Sequence, residues 1–258
     1  MKLKIIMLIC FSILVTGCSQ EAEIEIIEEM GIFSEYDACF ILYDENNDKY
    51  HIFNESQANE PLSPCSTFKI VNSLIGLETG VAKDVNHLYK WDGKQRSVSA
   101  WNQDHTMETA IFHSAIWYYQ ALAEDIGEVR MKEYLERIDY GNKDTSGGLT
   151  EFWLRSSLKI SALDQVELLK KLYHDELPFT KENMAMVRKI IVLEETDDYV
   201  LSGKTGGGEG KIGWFIGHLS TDEGDYYFAT NLLDDEDAAG YIAKEMTIEI
   251  LKERELIK

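Results

Sequence analysis

A chain of 258 residues with 45% hydrophobic and 28% charged side chains has ample material for one large core. Only three prolines and no low-complexity tract argue against a disordered or fibrous protein. Forty-six acidic against 25 basic residues give a net charge of −21. With no cluster of lysines and arginines visible, such a polyanion repels nucleic acid and anionic lipid headgroups, which argues against both as partners.

Lys2 and Lys4 precede an apolar run over residues 5–15. Its eleven residues fall far short of the roughly 20 that span a bilayer, but suit the core of a signal peptide. The run ends Val15-Thr16-Gly17-Cys18, which resembles a bacterial lipoprotein signal: residues 1–17 would be removed and Cys18 lipidated. An ordinary secretory signal cut nearby is the alternative. Either one predicts an exported protein, lipid-anchored to the outer face of a bacterial membrane or secreted. Cys10 leaves with the signal. Cys39 and Cys65 then remain in a compartment where disulfides persist, and spacing leaves both a bond between them and two free buried thiols open.

Residues 18–35 are acidic and read as a tether running into a first helix, with Ile24, Ile26, Ile27 and Met30 as its stripe. Residues 39–43 and 50–53 flank the turn-like 44–48 and predict a β-hairpin. From 66 to 189 the pattern is mostly helical. Ile70, Val71, Leu74, Ile75 and Leu77 form one helical face closing at Gly80, with further helices expected at 107–126, 130–138, 161–174 and 180–190. Strands follow at 190–193, 199–204, 212–218 and 226–233. A final helix at about 238–254 carries Ile242, Met246, Ile250 and Leu251 on one side. The whole is an α+β chain in which the two ends build one sheet around a helical insertion.

Ser66-Thr67-Phe68-Lys69 opens the first of those central helices. Positions i and i+3 share a face, so the amine reaches the hydroxyl, and unpaired N–H groups at a helix start favour a developing oxyanion. A desolvated lysine of lowered pKa can take the serine proton. The pattern alone is weak, since about one match per chain of this length arises by chance, and Ser156-Ser157-Leu158-Lys159 is a second one. Lys204-Thr205-Gly206 closes an apparent strand and is followed by Gly207 and Gly208, a lysine and a hydroxyl beside glycine backbone that suit a carboxylate. Ser114, taken alone, reads as a helix serine bonded back to its own chain.

Order and spacing change the weight of these pieces. Ser66-x-x-Lys69, then Ser114, then Tyr140-Gly141-Asn142, then Lys204-Thr205-Gly206 is the layout of penicillin-recognising serine enzymes. With Pro64-Cys65 before the serine, Trp101-Asn102-Gln103-Asp104-His105, Phe152-Trp153-Leu154 and Gly213-Trp214-Phe215, the chain resembles the class D β-lactamases from about residue 30 onward. The resemblance implies a β-lactamase domain over 36–258, with a mainly antiparallel sheet flanked by N- and C-terminal helices and a helical subdomain at about 66–189. It implies hydrolysis of penicillin-type antibiotics through an acyl-enzyme on Ser66. Lys69 would act as an N-carboxylated general base, the CO2 being a reversible modification and no other cofactor or metal being needed. Trp153 would bond that carbamate, and Phe68, Ile116 and Trp117 would wall it. Ser114 would relay a proton, Lys204 and Thr205 would hold the substrate carboxylate beside Gly206, and the N–H groups of Ser66 and Gly207 would form the oxyanion hole. Two departures stand out. Ile116 replaces the usual valine, which narrows water access to the carbamate. Residues 233–253 contain no arginine, leaving Lys204 with Thr205, or Lys244, to anchor the carboxylate. A β-lactam sensor domain is the alternative; such domains usually follow several membrane spans and a zinc protease with His-Glu-x-x-His, which this sequence lacks. A cell-wall peptidase and a non-catalytic binding lipoprotein are more distant readings.

Overall fold

The computed structural model describes residues 22–208 and 210–258. The expected signal, Cys10 and the expected lipidation site Cys18 lie outside the described residues.

The first described element corrects an expectation. Instead of a helix, Glu23–Ile27 forms strand β1, paired in parallel with the later strand β3, and only the single 3₁₀ turn Gly31–Phe33 follows. The reason is the alternation Glu-Ile-Glu-Ile, whose period of two suits a strand better than a helix. Lys49 of β3 then pairs with Glu23 and Glu25 at 3.0 and 2.9 Å. Strands β2 (Asp37–Asp44) and β3 (Lys49–Phe53) form the expected hairpin, with Asp48 left-handed in the turn. The short helix α1 (Glu55–Ala58) leads to a 3₁₀ turn, Cys65–Phe68, that runs straight into α2 (Lys69–Glu78). A small ribbon of β4 (Leu88–Tyr89) and β5 (His105–Thr106) precedes the helices α3 (Met107–Phe112), α4 (Ile116–Ile126), α5 (Glu128–Arg137), α6 (Ala162–Tyr173) and α7 (Lys181–Ile190). The expected helix at 107–126 is thus two helices, broken where Ser114 adopts a left-handed φ of 56°.

Strands β6 (Val192–Glu195), β7 (Tyr199–Gly208), β8 (Ile212–Thr221) and β9 (Gly224–Leu233) complete a seven-stranded sheet in the order β1-β3-β2-β9-β8-β7-β6. Every pairing except β1–β3 is antiparallel. The two chain ends meet where β2 pairs with β9, Asp37 opposite Leu233. Because both faces of the sheet are covered, β2 reads as continuous apolar residues rather than alternating ones. On one face Ile41, Trp214 and Ile216 pack with Phe68, Leu74 and Leu169 of the helical layer. On the other, Phe40, Phe215 and Phe228 pack with Ala243, Ile250 and Leu251 of the last helix α8 (Gly240–Glu253).

Candidate active site

One gap in the sheet makes room for a site. β6 covers β7 only as far as Ser202, opposite Val192, so the residues from Lys204 to Gly208 present a free edge. The 3₁₀ turn carrying Ser66 packs against that edge. A Cβ built on Gly206 would stand 2.8 Å from the Pro64 carbonyl and 3.3 Å from the Ser66 nitrogen, so only glycine permits this approach. Cys65, immediately before Ser66, holds a left-handed φ of 49°, a strained turn that presents the serine.

Ser66 is 8% exposed and Lys69 is fully buried, with Nζ 2.6 Å from the Ser66 hydroxyl. Burial pushes the Lys69 ammonium well below the usual lysine range, and the charge of Lys204 pushes it further. Among the described residues no carboxylate pairs with it. A neutral amine in hydrogen-bond contact with a hydroxyl can accept that hydroxyl's proton. Aromatic rings cluster around Phe68, the residue before Lys69. Phe68 stacks on Trp153 at 5.5 Å and meets Tyr140 and Phe152 edge-on at 5.6 and 5.2 Å. The Tyr119 ring lies 5.5 Å from Nζ. Trp153 is wholly buried and its indole N–H has no hydrogen-bond partner among the described residues. A buried donor without a partner calls for an acceptor the chain itself does not supply among the described residues.

Ser114 reaches the site because of the helix break. It accepts a hydrogen bond from Lys204 Nζ at 2.9 Å, and the same ammonium bonds the Thr205 carbonyl at 2.9 Å. Lys204 is 6% exposed, and burial, helped by the charge of Lys244, lowers its pKa to about 7. Gly207 follows on the exposed end of the β7 edge.

Several expected residues turn out to do something else. The Trp117 indole donates to the Trp101 carbonyl at 2.9 Å, with His105 and Arg96 around it. Tyr119, the ring near Lys69 Nζ, also bonds Ser73 at 2.9 Å. Ile116 is the half-buried first residue of α4, two positions beyond Ser114. Tyr140-Gly141-Asn142 is a clamp. Asn142 bonds the Ser157 carbonyl and the Lys159 N–H at 2.8 and 2.9 Å, securing the loop that carries Trp153. The second Ser-x-x-Lys therefore lies in an irregular segment, not on a helix face, and Ser156 cannot address Lys159 as Ser66 addresses Lys69. Cys39 and Cys65 are both buried free thiols, which decides against a bond between them.

Two cavities differ in charge. One of about 310 Å³ lies beside the site, lined by Lys204, Thr205, Lys244, Tyr241 and Phe112 among others. A roomier one of about 560 Å³ is lined by Glu35, Asp37, Asp234 and Asp235 with one lysine, Lys211, and holds none of the expected site residues. Its carboxylates would repel an anionic substrate.

A serine and a buried lysine one turn apart, a second serine and a Lys-Thr-Gly edge, set on an antiparallel sheet with a helical insertion, define the penicillin-recognising serine enzymes. The penicillin binding protein transpeptidase domain family matches residues 39–252. The probable β-lactamase YbxI of Bacillus subtilis is 47% identical over 227 residues, 87% of this chain and 84% of that protein. A crystal structure of a class D β-lactamase from Bacillus subtilis superposes with a TM-score of 0.85 at 46% identity, covering 88% of this chain and 95% of that one. The C-terminal domain of the Bacillus licheniformis BlaR penicillin receptor does so with a TM-score of 0.86 at 36% identity, over 92% and 98%. The chain belongs to the class D serine β-lactamases.

Proposed function

We propose that this enzyme hydrolyses the β-lactam ring of penicillin-type antibiotics through an ester on Ser66, and that Lys69 works as its N-carboxylated form. The observation that carries the reading is the Lys69 pocket. A lysine with no acidic partner among the described residues lies 2.6 Å from a serine hydroxyl and 5.5 Å from the Tyr119 ring, and Trp153, stacked on the neighbouring Phe68, keeps a buried indole N–H without a partner. Carbon dioxide reacts only with the neutral amine, which desolvation favours. Trp153 would hold the modification, which supplies a carboxylate base next to Ser66 during both acylation and deacylation.

The chain's own groups account for the rest. Ser66 Oγ bonds to the lactam carbonyl carbon, and its N–H with that of Gly207 stabilises the charge developing on the carbonyl oxygen. As the ring C–N bond breaks, Ser114, hydrogen-bonded to Lys204, delivers the proton to the departing nitrogen. Lys204 and Thr205 anchor the substrate carboxylate. Water then cleaves the ester, and Ser66 recovers its proton. Through Cys18 the mature protein would be lipid-anchored outside the cell.

The likeness to the BlaR receptor domain supports a second reading, acylation without turnover. Nitrocefin separates them. Many turnovers per enzyme are expected, abolished in Ser66→Ala and retained in Ser156→Ala, whereas a single stoichiometric burst would make the protein a sensor. Carbon-13 bicarbonate should give a carbamate NMR signal that Lys69→Ala removes and Trp153→Ala weakens. Its absence from active wild-type enzyme would leave an unmodified Lys69 as the base.

A further inference from the structure

A buried glutamine reaches the catalytic turn from α6. Gln165, in the first turns of that helix, is wholly buried, and its side-chain Nε2 lies 2.8 Å from the hydroxyl of Thr67, the residue after the nucleophile. Thr67 passes the contact on. Its hydroxyl donates to the Pro64 carbonyl at 2.8 Å, and its N–H bonds the same oxygen at 3.1 Å. The threonine methyl meets the β7 edge, 3.1 Å from where a Cβ on Gly206 would stand.

The direction of this chain follows from its last member. A carbonyl only accepts, so the single hydroxyl proton of Thr67 is committed to Pro64, and only the donor end of the Gln165 amide can face the threonine. That leaves the Gln165 side-chain oxygen buried without a hydrogen-bond partner among the described residues. An unpaired buried carbonyl is costly, and a methionine or leucine would fill similar space without that penalty. Packing alone therefore does not call for an amide at this position.

The contact grips the strained part of the site. Cys65, between Pro64 and Ser66, sits in the left-handed region, which a non-glycine residue keeps only when its surroundings over-determine it. The start of α6 is itself registered to this segment. Leu62 and Ile160 exchange backbone hydrogen bonds at 2.9 and 2.8 Å, and Ser161 with Asp164 caps the helix.

We propose that Gln165 is a positioning residue: by committing the Thr67 hydroxyl to the Pro64 carbonyl, it holds the turn at Cys65 and keeps the Ser66 hydroxyl and N–H in the geometry that acylation needs. This rests on the β-lactamase reading, in which Ser66 attacks and its N–H receives the developing oxyanion, and it is independent of the carbamate on Lys69.

Gln165→Met keeps the side-chain length and removes the donor. Formation of the Ser66 ester with benzylpenicillin, followed by rapid quench and intact mass, should slow about ten-fold or more, since a misplacement of about 1 Å at reacting groups costs about a hundred-fold. A role in packing alone would lower the melting temperature and leave the rate below it unchanged. Thr67→Val should slow the step as much, and Thr67→Ser, which keeps the hydroxyl, should rescue it. Gln165→Met added to Thr67→Val should slow it no further, because a residue acting through the threonine then has nothing to act on. A wild-type rate in Gln165→Met, or effects of the two substitutions that multiply, would overturn the proposal. Gln165→Leu repeats the test if the methionine variant fails to fold, and equal rates in Thr67→Val and Thr67→Ser overturn it from the other end. No ester in the wild-type protein sinks the hydrolase reading itself, while an ester formed at the wild-type rate in Gln165→Met sinks only the positioning role.

Discussion

Lys204 is held in an environment that penalises its charge, and that penalty is measurable. The unfolded chain keeps this proton up to about pH 10.5, the folded one only to about 7. Folding therefore expels a proton between those values, and stability rises with pH across that window. At about 1.4 kcal/mol per pKa unit the cost at neutral pH is bounded near ~5 kcal/mol, reduced by the hydrogen bonds to Ser114 and Thr205. Lys204→Met is thus expected to be nearly inactive yet to melt about 5 °C or more above wild type at pH 7, the gap closing toward pH 10. Calorimetry of both proteins at pH 6, 7, 8.5 and 10 checks this; a variant that melts lower throughout would mean the ammonium's hydrogen bonds outweigh its desolvation. At this scale the Ser66–Lys69 pair was legible, because helical spacing puts i and i+3 together whatever the tertiary context. Tyr119, whose ring lies 5.5 Å from Lys69 Nζ, was not anticipated, because the path of α4 follows from the left-handed break at Ser114, which composition does not show.

The turn between α3 and α4 explains why a polar residue that looks like part of a helix meets Lys204. With φ at 56°, Ser114 turns out of the helical path while its N–H still bonds the Ile111 carbonyl at 3.2 Å. A non-glycine residue in that conformation costs about 1–2 kcal/mol, so the fold tolerates strain to deliver one hydroxyl. Ser114→Gly should leave the melting temperature equal or slightly higher while slowing turnover about 100-fold or more, the usual contribution of a proton-transfer group. Near-wild-type turnover in Ser114→Gly would remove the serine from the relay. A continuous apolar run such as β2 and a periodic stripe such as that of α8 could be read ahead of the structure. The strand at Glu23–Ile27 was missed although its alternation was present, because five residues carry a short pattern and its partners, β3 and Lys49, are distant in sequence.

Across the whole molecule, charge and catalytic geometry oppose each other at different distances. A net −21 repels an anionic β-lactam at long range, while Lys204 and Lys244 attract it at contact. Salt screens the first more than the second, since exposed charges fade beyond about 10 Å at 0.1 M and buried ones far less. The expected outcome is a kcat/KM for benzylpenicillin that rises from low to moderate ionic strength and then levels. A steady fall would show that the lysine field governs the approach as well. The mixed α+β order and the joining of the two chain ends in one sheet were readable from the sequence of strands and helices. The free edge of β7, on which the site depends, was not, because it arises from where β6 stops pairing.

The place of β1 at the sheet's outer edge has a consequence for how the enzyme would stand on a cell. From Cys18 to Glu23 the chain extends at most about 17 Å, so a lipid on Cys18 would be a short leash holding that edge close to the bilayer. With strands about 4.8 Å apart, the catalytic edge of β7 lies about 24 Å across the sheet from β1. The anchored molecule would be planted on one rim, with its mouth on the opposite flank, well above the headgroups and turned toward arriving antibiotic.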